Sequence, residues 1–184
     1  FVYDIGMKKT YEDYYLFVGR IEEIKGVNVL IDAFKEMPES QLKIAGRGDL
    51  DAEIRERITR ENLNNIELLG YQNRESVNAL MQNAKAVIMC SQWYETFGMV
   101  IAEAYSCGTP VIVGNIGNIK DLVIPGKTGE LFTYNSYRDM IEAIKLFESK
   151  SYEEYSRNAY ALFNERLTSE SNYDQIMNIY NQLM

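Results

Sequence analysis

The chain has 184 residues, 46% hydrophobic and 25% charged, which suits one domain with a sizeable core and an ordinary soluble composition. Its net charge of −8 excludes non-specific nucleic-acid binding and a basic membrane-binding face, while leaving room for a local basic pocket that takes a phosphate. It has no histidine, so no histidine-based triad, general base or metal site is available within it.

Short apolar runs alternate with helical patterns in chain order, at the spacing of repeated strand–helix units. Tyr14-Tyr15-Leu16-Phe17-Val18 reads as the first strand, and Lys25 to Met37 as the first helix, with Val29, Leu30, Ala33, Phe34 and Met37 on one face. Leu42 to Ala45 is a second strand. Asp51 to Asn62 is a charged surface helix with Ile54 and Ile58 inward. Ile66 to Gly70 is a third strand, and the stripe Val77, Leu80, Met81, Ala84 marks the helix after it. Ala86 to Cys90 is wholly apolar, as expected at the centre of a parallel sheet. A helix from Phe97 to Ser106, a strand over 110–113, a short helix near 119–123 and a strand over 129–133 complete the sheet. Helices near 136–149, 152–166 and 170–182 follow without strands, the last with Tyr173, Ile176, Met177, Tyr180 and Leu183 on one side. The expected architecture is a doubly wound α/β domain with a mainly parallel, Rossmann-like sheet of about six strands. A linker or edge segment would occupy 1–13 and a helical extension 136–184. Ligands bind such sheets at the carboxyl ends of the strands.

No apolar run reaches the roughly 18 residues of a membrane span. Cys90 and Cys107 stand among apolar or small residues and read as buried, reduced thiols of a cytosolic protein. The chain opens at Phe1 with no signal-peptide pattern, as a piece cut from a longer protein would.

The informative feature is a pair of glutamates, Glu95 and Glu103, separated by Thr96-Phe97-Gly98-Met99-Val100-Ile101-Ala102. Glu95 precedes a helix start whose N–H groups are unsatisfied, and Gly98 permits close approach of a ligand. Glu103 lies deeper in that helix among apolar neighbours, where a carboxylate needs either a ligand or a buried basic partner. Arg20 and Lys25 flank the loop after the first strand. They either converge on one anion or pair with Glu22 and Glu23. Gly46-Arg47-Gly48 permits a tight turn and close backbone approach to a ligand. Asp49-Leu50-Asp51 reads as a helix cap in preference to a divalent-metal motif, and Arg47-Gly48-Asp49 as a turn in preference to an adhesion signal.

Taken in order, Gly19-Arg20 with Lys25-Gly26, Gly46 with Gly48, Ser91 with Glu95, Phe97-Gly98, Glu103-Ala104, Cys107-Gly108-Thr109-Pro110-Val111 and Gly126-Lys127-Thr128-Gly129 resemble the C-terminal, donor-binding domain of a family-4 retaining glycosyltransferase of the GT-B fold, the glycosyl transferases group 1. The resemblance implies a nucleotide-diphosphate-sugar donor and no metal or further cofactor. Arg20 and Lys25, with the amides of Gly98, Met99 and Val100, would hold the diphosphate. Glu95, as the catalytic residue, and Phe97 would meet the donor sugar. Glu103 would hold the ribose hydroxyls, and Tyr71 and Gln72 would lie against the base. The two glutamates then hold opposite ends of one donor and share no proton.

The chain departs from the family pattern at Thr96, at Asn118 in place of the second glycine of a Gly-Gly pair, and at Asp121 in place of a glutamate. The resemblance further implies a hexosyl transfer to a glycan or lipid-linked acceptor bound by a separate N-terminal domain that also carries the active-site histidine. This chain alone would then bind donor weakly and transfer nothing. The location implied is cytoplasmic, or peripheral at the inner membrane face for the longer protein. The alternatives are a non-catalytic nucleotide-sugar-binding module and a related epimerase or phosphorylase. A Rossmann dehydrogenase is disfavoured because no Gly-x-Gly-x-x-Gly follows the first strand.

Overall fold

The computed structural model describes residues 11–183, so most of the segment expected as a linker, 1–10, lies outside the described residues. Six strands, β1 (Tyr14–Val18), β2 (Gln41–Ala45), β3 (Ile66–Gly70), β4 (Ala86–Met89), β5 (Val111–Gly114) and β6 (Gly129–Phe132), form one parallel sheet in the order β3-β2-β1-β4-β5-β6. The chain winds outward from β1 to β3, returns, and winds outward again from β4 to β6. The order reverses between β1 and β4, and their carboxyl ends open a crevice there. All residues of β4 and β5 are buried, as a central strand covered on both faces requires.

Alternation along the strands divides the core into two layers. Tyr15 and Phe17 of β1 face one side, with Leu42, Ile44, Ile88 and Ile112. They pack on α1 (Val27–Lys35), α2 (Asp51–Arg60) and α5 (Tyr137–Glu148) through Leu30, Phe34, Ile54, Ile144 and Phe147. Tyr14 and Leu16 face the other side, with Val87, Met89, Val111 and Val113. They pack on α3 (Arg74–Asn83), α4 (Met99–Ser106) and α6 (Tyr152–Leu162) through Met81, Ile101, Tyr105, Ala159 and Leu162. Thus α5 and α6 each cover a face of the sheet. A π-helical turn (Phe163–Leu167) leads to α7 (Ser169–Leu183), whose Tyr173, Ile176, Met177, Ile179 and Tyr180 are exposed.

Three local expectations change. The first helix begins at Val27, because Lys25 ends a short 3-10 turn and Gly26 takes a left-handed conformation between the two. Neither Asp49 nor Asp51 caps α2. The cap position falls on Leu50, and Asp51 lies in the first helical turn, where its charge faces the positive end of the helix. The helix expected from Phe97 starts at Met99, with Gly98 in the cap position at φ 77°.

One buried acid ties β6 to α6 and to the turn before it. Glu130 of β6 is only 4% exposed in its side chain, accepts a hydrogen bond from the Tyr155 hydroxyl of α6, and pairs with Lys150 at 3.0 Å. Tyr155→Phe removes one of these two partners without changing shape, and leaves a buried carboxylate under-satisfied. Urea unfolding is expected to show a loss of about 1–3 kcal/mol. Tyr15→Phe, whose hydroxyl bonds the more exposed Glu148, is expected to lose less in the same titration.

Candidate functional site

The crevice is built by two loops that are stitched together. The first runs from β1 through Gly19, Arg20 and the 3-10 turn Glu23–Lys25 to α1; the second runs from β4 through Ser91 and Glu95 to α4. Gly26 sits so close to the second loop that a β-carbon there would lie 2.0 Å from the Cys90 carbonyl oxygen. With φ at 71°, this position requires glycine twice over. The Gln92 N–H donates to the Ile24 carbonyl at 2.8 Å, and the Cys90 thiol donates to the Lys25 carbonyl at 3.2 Å. Burial pushes the Cys90 thiol up to about 12, so it stays protonated and serves as a donor.

This stitching brings Lys25 to Glu95. The ammonium lies 2.5 Å from one carboxylate oxygen, and the Ser91 hydroxyl donates to the same oxygen at 2.6 Å. Both charged side chains are about one-fifth exposed, at 21% and 20%. Burial works to raise the Glu95 carboxyl. The hydrogen bonds from Lys25 and Ser91 and the nearby charges of Lys25 and Arg20 outweigh it and hold the group below the ordinary glutamate value. Arg20 itself is well exposed and pairs with Glu22 at 2.6 Å. The two basic residues therefore hold different carboxylates, and Glu95 takes the place expected for Glu23 as the partner of Lys25.

Next to Glu95, the backbone N–H groups of Phe97, Gly98, Met99 and Val100 meet no acceptor among the described residues. They lie at the positive end of α4, with the Phe97 and Met99 side chains turned to solvent. Glu103 follows on α4, half-buried, and its carboxylate has no hydrogen-bond or ion-pair partner among the described residues. The buried basic partner that would account for it structurally is not found among the described residues.

The remaining expected residues lie apart. Tyr71 is 71% exposed just beyond β3, at the edge of the sheet, and the Gln72 side-chain amide donates to the Leu69 carbonyl at 2.9 Å. Gly46 and Gly48 serve a different approach from the one expected. Added β-carbons would lie 1.8 Å from the Gly19 carbonyl oxygen and 2.3 Å from that of Ile21, so these glycines admit the first loop and no ligand is needed to explain them. Two site-building residues had no role from the sequence. Ser91 reaches Glu95 across four residues of irregular loop, and Cys90 anchors Lys25 across a distance of 65 in the chain. A groove of about 930 Å³ opens at the opposite ends of the strands, lined by Asp13, Lys85, Arg138 and Glu148 among others, and shares no residue with this crevice.

Two outcomes are expected from this geometry. Gly26→Ala forces the loops apart and imposes left-handed strain, and is expected to cost more than about 2 kcal/mol in urea unfolding. The Glu95 carboxyl is lower in the folded chain than in the unfolded one. Its contribution to stability is complete above the unfolded value of 4.5 and is lost as pH falls through the lowered folded value. The stability advantage of the wild type over Glu95→Gln should therefore shrink as pH drops below about 4.5. A difference that stays constant from neutral pH to about pH 3 would show that Glu95 gains nothing from Lys25 and Ser91.

Comparison with known proteins places this arrangement. An uncharacterized glycosyltransferase of Methanocaldococcus jannaschii is 36% identical over 129 residues, 70% of this chain and 36% of that protein. The O-antigen chain mannosyltransferase C of Escherichia coli is 27% identical over 177 residues, 94% of this chain and 47% of that protein. The crystal structure of Anabaena HepE in complex with UDP aligns with a TM-score of 0.82 at 26% identity, over 92% of this chain and 49% of that one. The chain thus spans between 36% and 49% of the length of these three proteins. Its parallel six-stranded sheet with helices on both faces matches one half of a GT-B glycosyltransferase. The model of the family described as glycosyl transferases group 1 matches residues 5–162, and the chain belongs to that family.

Proposed function

We propose that the chain is the donor-binding half of a retaining, metal-independent hexosyltransferase that uses a nucleotide-diphosphate sugar, with uridine as the base. The observation that carries the reading is the start of α4, where four N–H groups with no partner among the described residues stand between a paired Glu95 and a half-buried Glu103 that likewise has none there. Such a row suits an elongated ligand with a dianionic middle and hydroxyl-rich ends. HepE, which shares the fold at 26–27% identity, is described in complexes with UDP and with UDP-glucose.

In this reading the diphosphate lies on the amides of Gly98, Met99 and Val100 and draws in Arg20 and Lys25. Lys25 exchanges Glu95 for phosphate, which frees the Glu95 carboxylate to accept from hydroxyls of the sugar beside Phe97. Glu103 accepts from the vicinal ribose hydroxyls, and Tyr71 and Gln72 flank the base. As the bond to the sugar breaks, negative charge grows on the departing diphosphate, where the two cations it has drawn in and the helix N-terminus stabilise it. That stabilisation calls for no metal or further cofactor. The acceptor, a glycan or lipid-linked sugar, attacks from the face the diphosphate leaves and is bound by the remainder of the longer protein. The exposed apolar side of α7 is the surface that remainder would cover. By itself this chain would bind donor and transfer nothing. No helix among the described residues is long and apolar enough to cross a membrane. We place the longer protein in the cytoplasm or at the inner face of the membrane.

Calorimetry with uridine, UDP and UDP-glucose tests the assignment. Glu103→Ala is expected to weaken all three by about tenfold, the loss of one charge-assisted hydrogen-bond pair. Arg20→Ala is expected to weaken UDP and UDP-glucose while leaving uridine nearly unchanged. If both variants match the wild type for UDP-glucose, the site is elsewhere.

A further inference from the structure

The loop that carries Glu95 is held from a second side. After β5 the chain passes beneath it through Gly117, Asn118 and a short 3-10 turn, Ile119–Leu122. Gly117, at φ 57°, lies under the Tyr94 ring, where an added β-carbon would come within 2.9 Å of Tyr94 Cδ1. Ile119 and Leu122 press on Gly98, with the Ile119 methyl 3.0 Å from where a Gly98 β-carbon would stand. Between these apolar contacts is one directed bond. The Asn118 side-chain amide donates to the Thr96 carbonyl oxygen at 3.1 Å.

We infer that Asn118 is a positioning residue for the donor sugar, acting through the Thr96–Phe97 peptide. The Thr96 carbonyl and the Phe97 N–H are the two ends of one planar trans unit, so they point in opposite directions. Fixing the carbonyl on the Asn118 side fixes the Phe97 N–H toward the other side. Phe97 N–H is the first of the four unpartnered donors, and the residue immediately before that peptide is Glu95. A single side chain thereby sets the direction of one amide and anchors the segment that holds the carboxylate. Lys25 and Ser91 tether Glu95 at its side-chain end, and Asn118 tethers the same loop at its backbone.

The bond is exposed to water, so it contributes little to folding and acts on the orientation of the loop. Asn118 has an ordinary right-handed helical backbone, φ −87° and ψ −15°, which accepts other side chains without strain. The position is one of those at which the chain departs from the family pattern, and a glycine there offers no side-chain donor. The inference rests on the reading that Glu95 and Phe97 face the sugar. The contact nearest the sugar depends on Asn118, while the diphosphate and ribose contacts farther along α4 do not.

The experiment compares the wild type, Asn118→Ala and Asn118→Leu, the last close in shape but without a donor. Calorimetry with UDP-glucose and with UDP, melting temperature and backbone amide relaxation are measured on each. Both variants are expected to bind UDP-glucose about five- to tenfold more weakly, the effect of losing one well-placed polar contact, and to bind UDP within about twofold of wild type. Their melting temperatures should match. The order parameter of the Phe97 amide in the free chain is expected to fall from about 0.85 toward 0.6. An unchanged Phe97 order parameter, unchanged UDP-glucose affinity, or equal losses for UDP and UDP-glucose overturns the inference. If the wild type binds neither compound, the donor-site reading fails and the inference with it. If the wild type binds both and the variants bind UDP-glucose as tightly as the wild type does, only the inference fails.

Discussion

Everything at the crevice depends on a backbone contact with no space in it, that of Gly26 against the Cys90 carbonyl. A parallel sheet brings the loops after β1 and β4 side by side, but neighbouring loops ordinarily splay apart around their side chains. Here the missing β-carbon and the left-handed φ let one loop lie directly on the other. Two hydrogen bonds, from Gln92 to Ile24 and from Cys90 to Lys25, then fix the register. Lys25 meets Glu95 as a consequence of that register. Gly46 and Gly48 repeat the device on the other flank of the first loop, against Gly19 and Ile21. The loop that carries both basic residues is thus held by three close backbone contacts, one on one flank and two on the other.

The electrostatics follow from the same packing. The chain as a whole is acidic, yet Lys25 pairs with Glu95 shortly before α4 and the charge of Arg20 also acts on that carboxylate, while the helix dipole adds positive potential beyond it. The two glutamates stand in contrasting states. Glu95 is bound by a lysine and a hydroxyl, which hold its carboxyl below the ordinary glutamate value. Glu103 stands half-buried without a counter-charge among the described residues. A site with one paired carboxylate and one that has no protein partner among the described residues suits exchange, because an incoming dianion competes for the lysine while incoming hydroxyls can meet both acids.

Much of the fold was legible in the sequence because it is local. Apolar runs such as Ala86 to Met89 and stripes such as Val77, Leu80, Met81 announce their own period, and the central position of β4 follows from its lack of any polar residue. The glycine and charge spacings carried the family resemblance in the same way. What escaped is pairwise and distant. Glu130 reads as an ordinary strand residue until Tyr155, on a later helix, is seen to cover it. Asn118 reads as a lapse from Gly-Gly until its amide is found on Thr96. Gly46 and Gly48 were given a ligand, where the structure gives them a neighbouring loop. Helix starts moved by two residues at Val27 and Met99 for one reason: a left-handed glycine, Gly26 or Gly98, ends the preceding turn and resets the chain direction before each helix.

The isolation of α7 has a consequence for how the chain unfolds. Its main packing is against the π-helical turn before it, and among the described residues it adds none to either core layer, the second of which ends its lining with Phe163 and Leu167 of that turn. The packed unit therefore closes near Leu167, a few residues beyond the end of the family match at residue 162. Beyond it, α7 opens and closes on its own equilibrium, so its amides exchange with solvent far sooner than those of the sheet. Whatever covers its apolar side stabilises that segment by mass action and leaves the cohesion of the sheet unchanged.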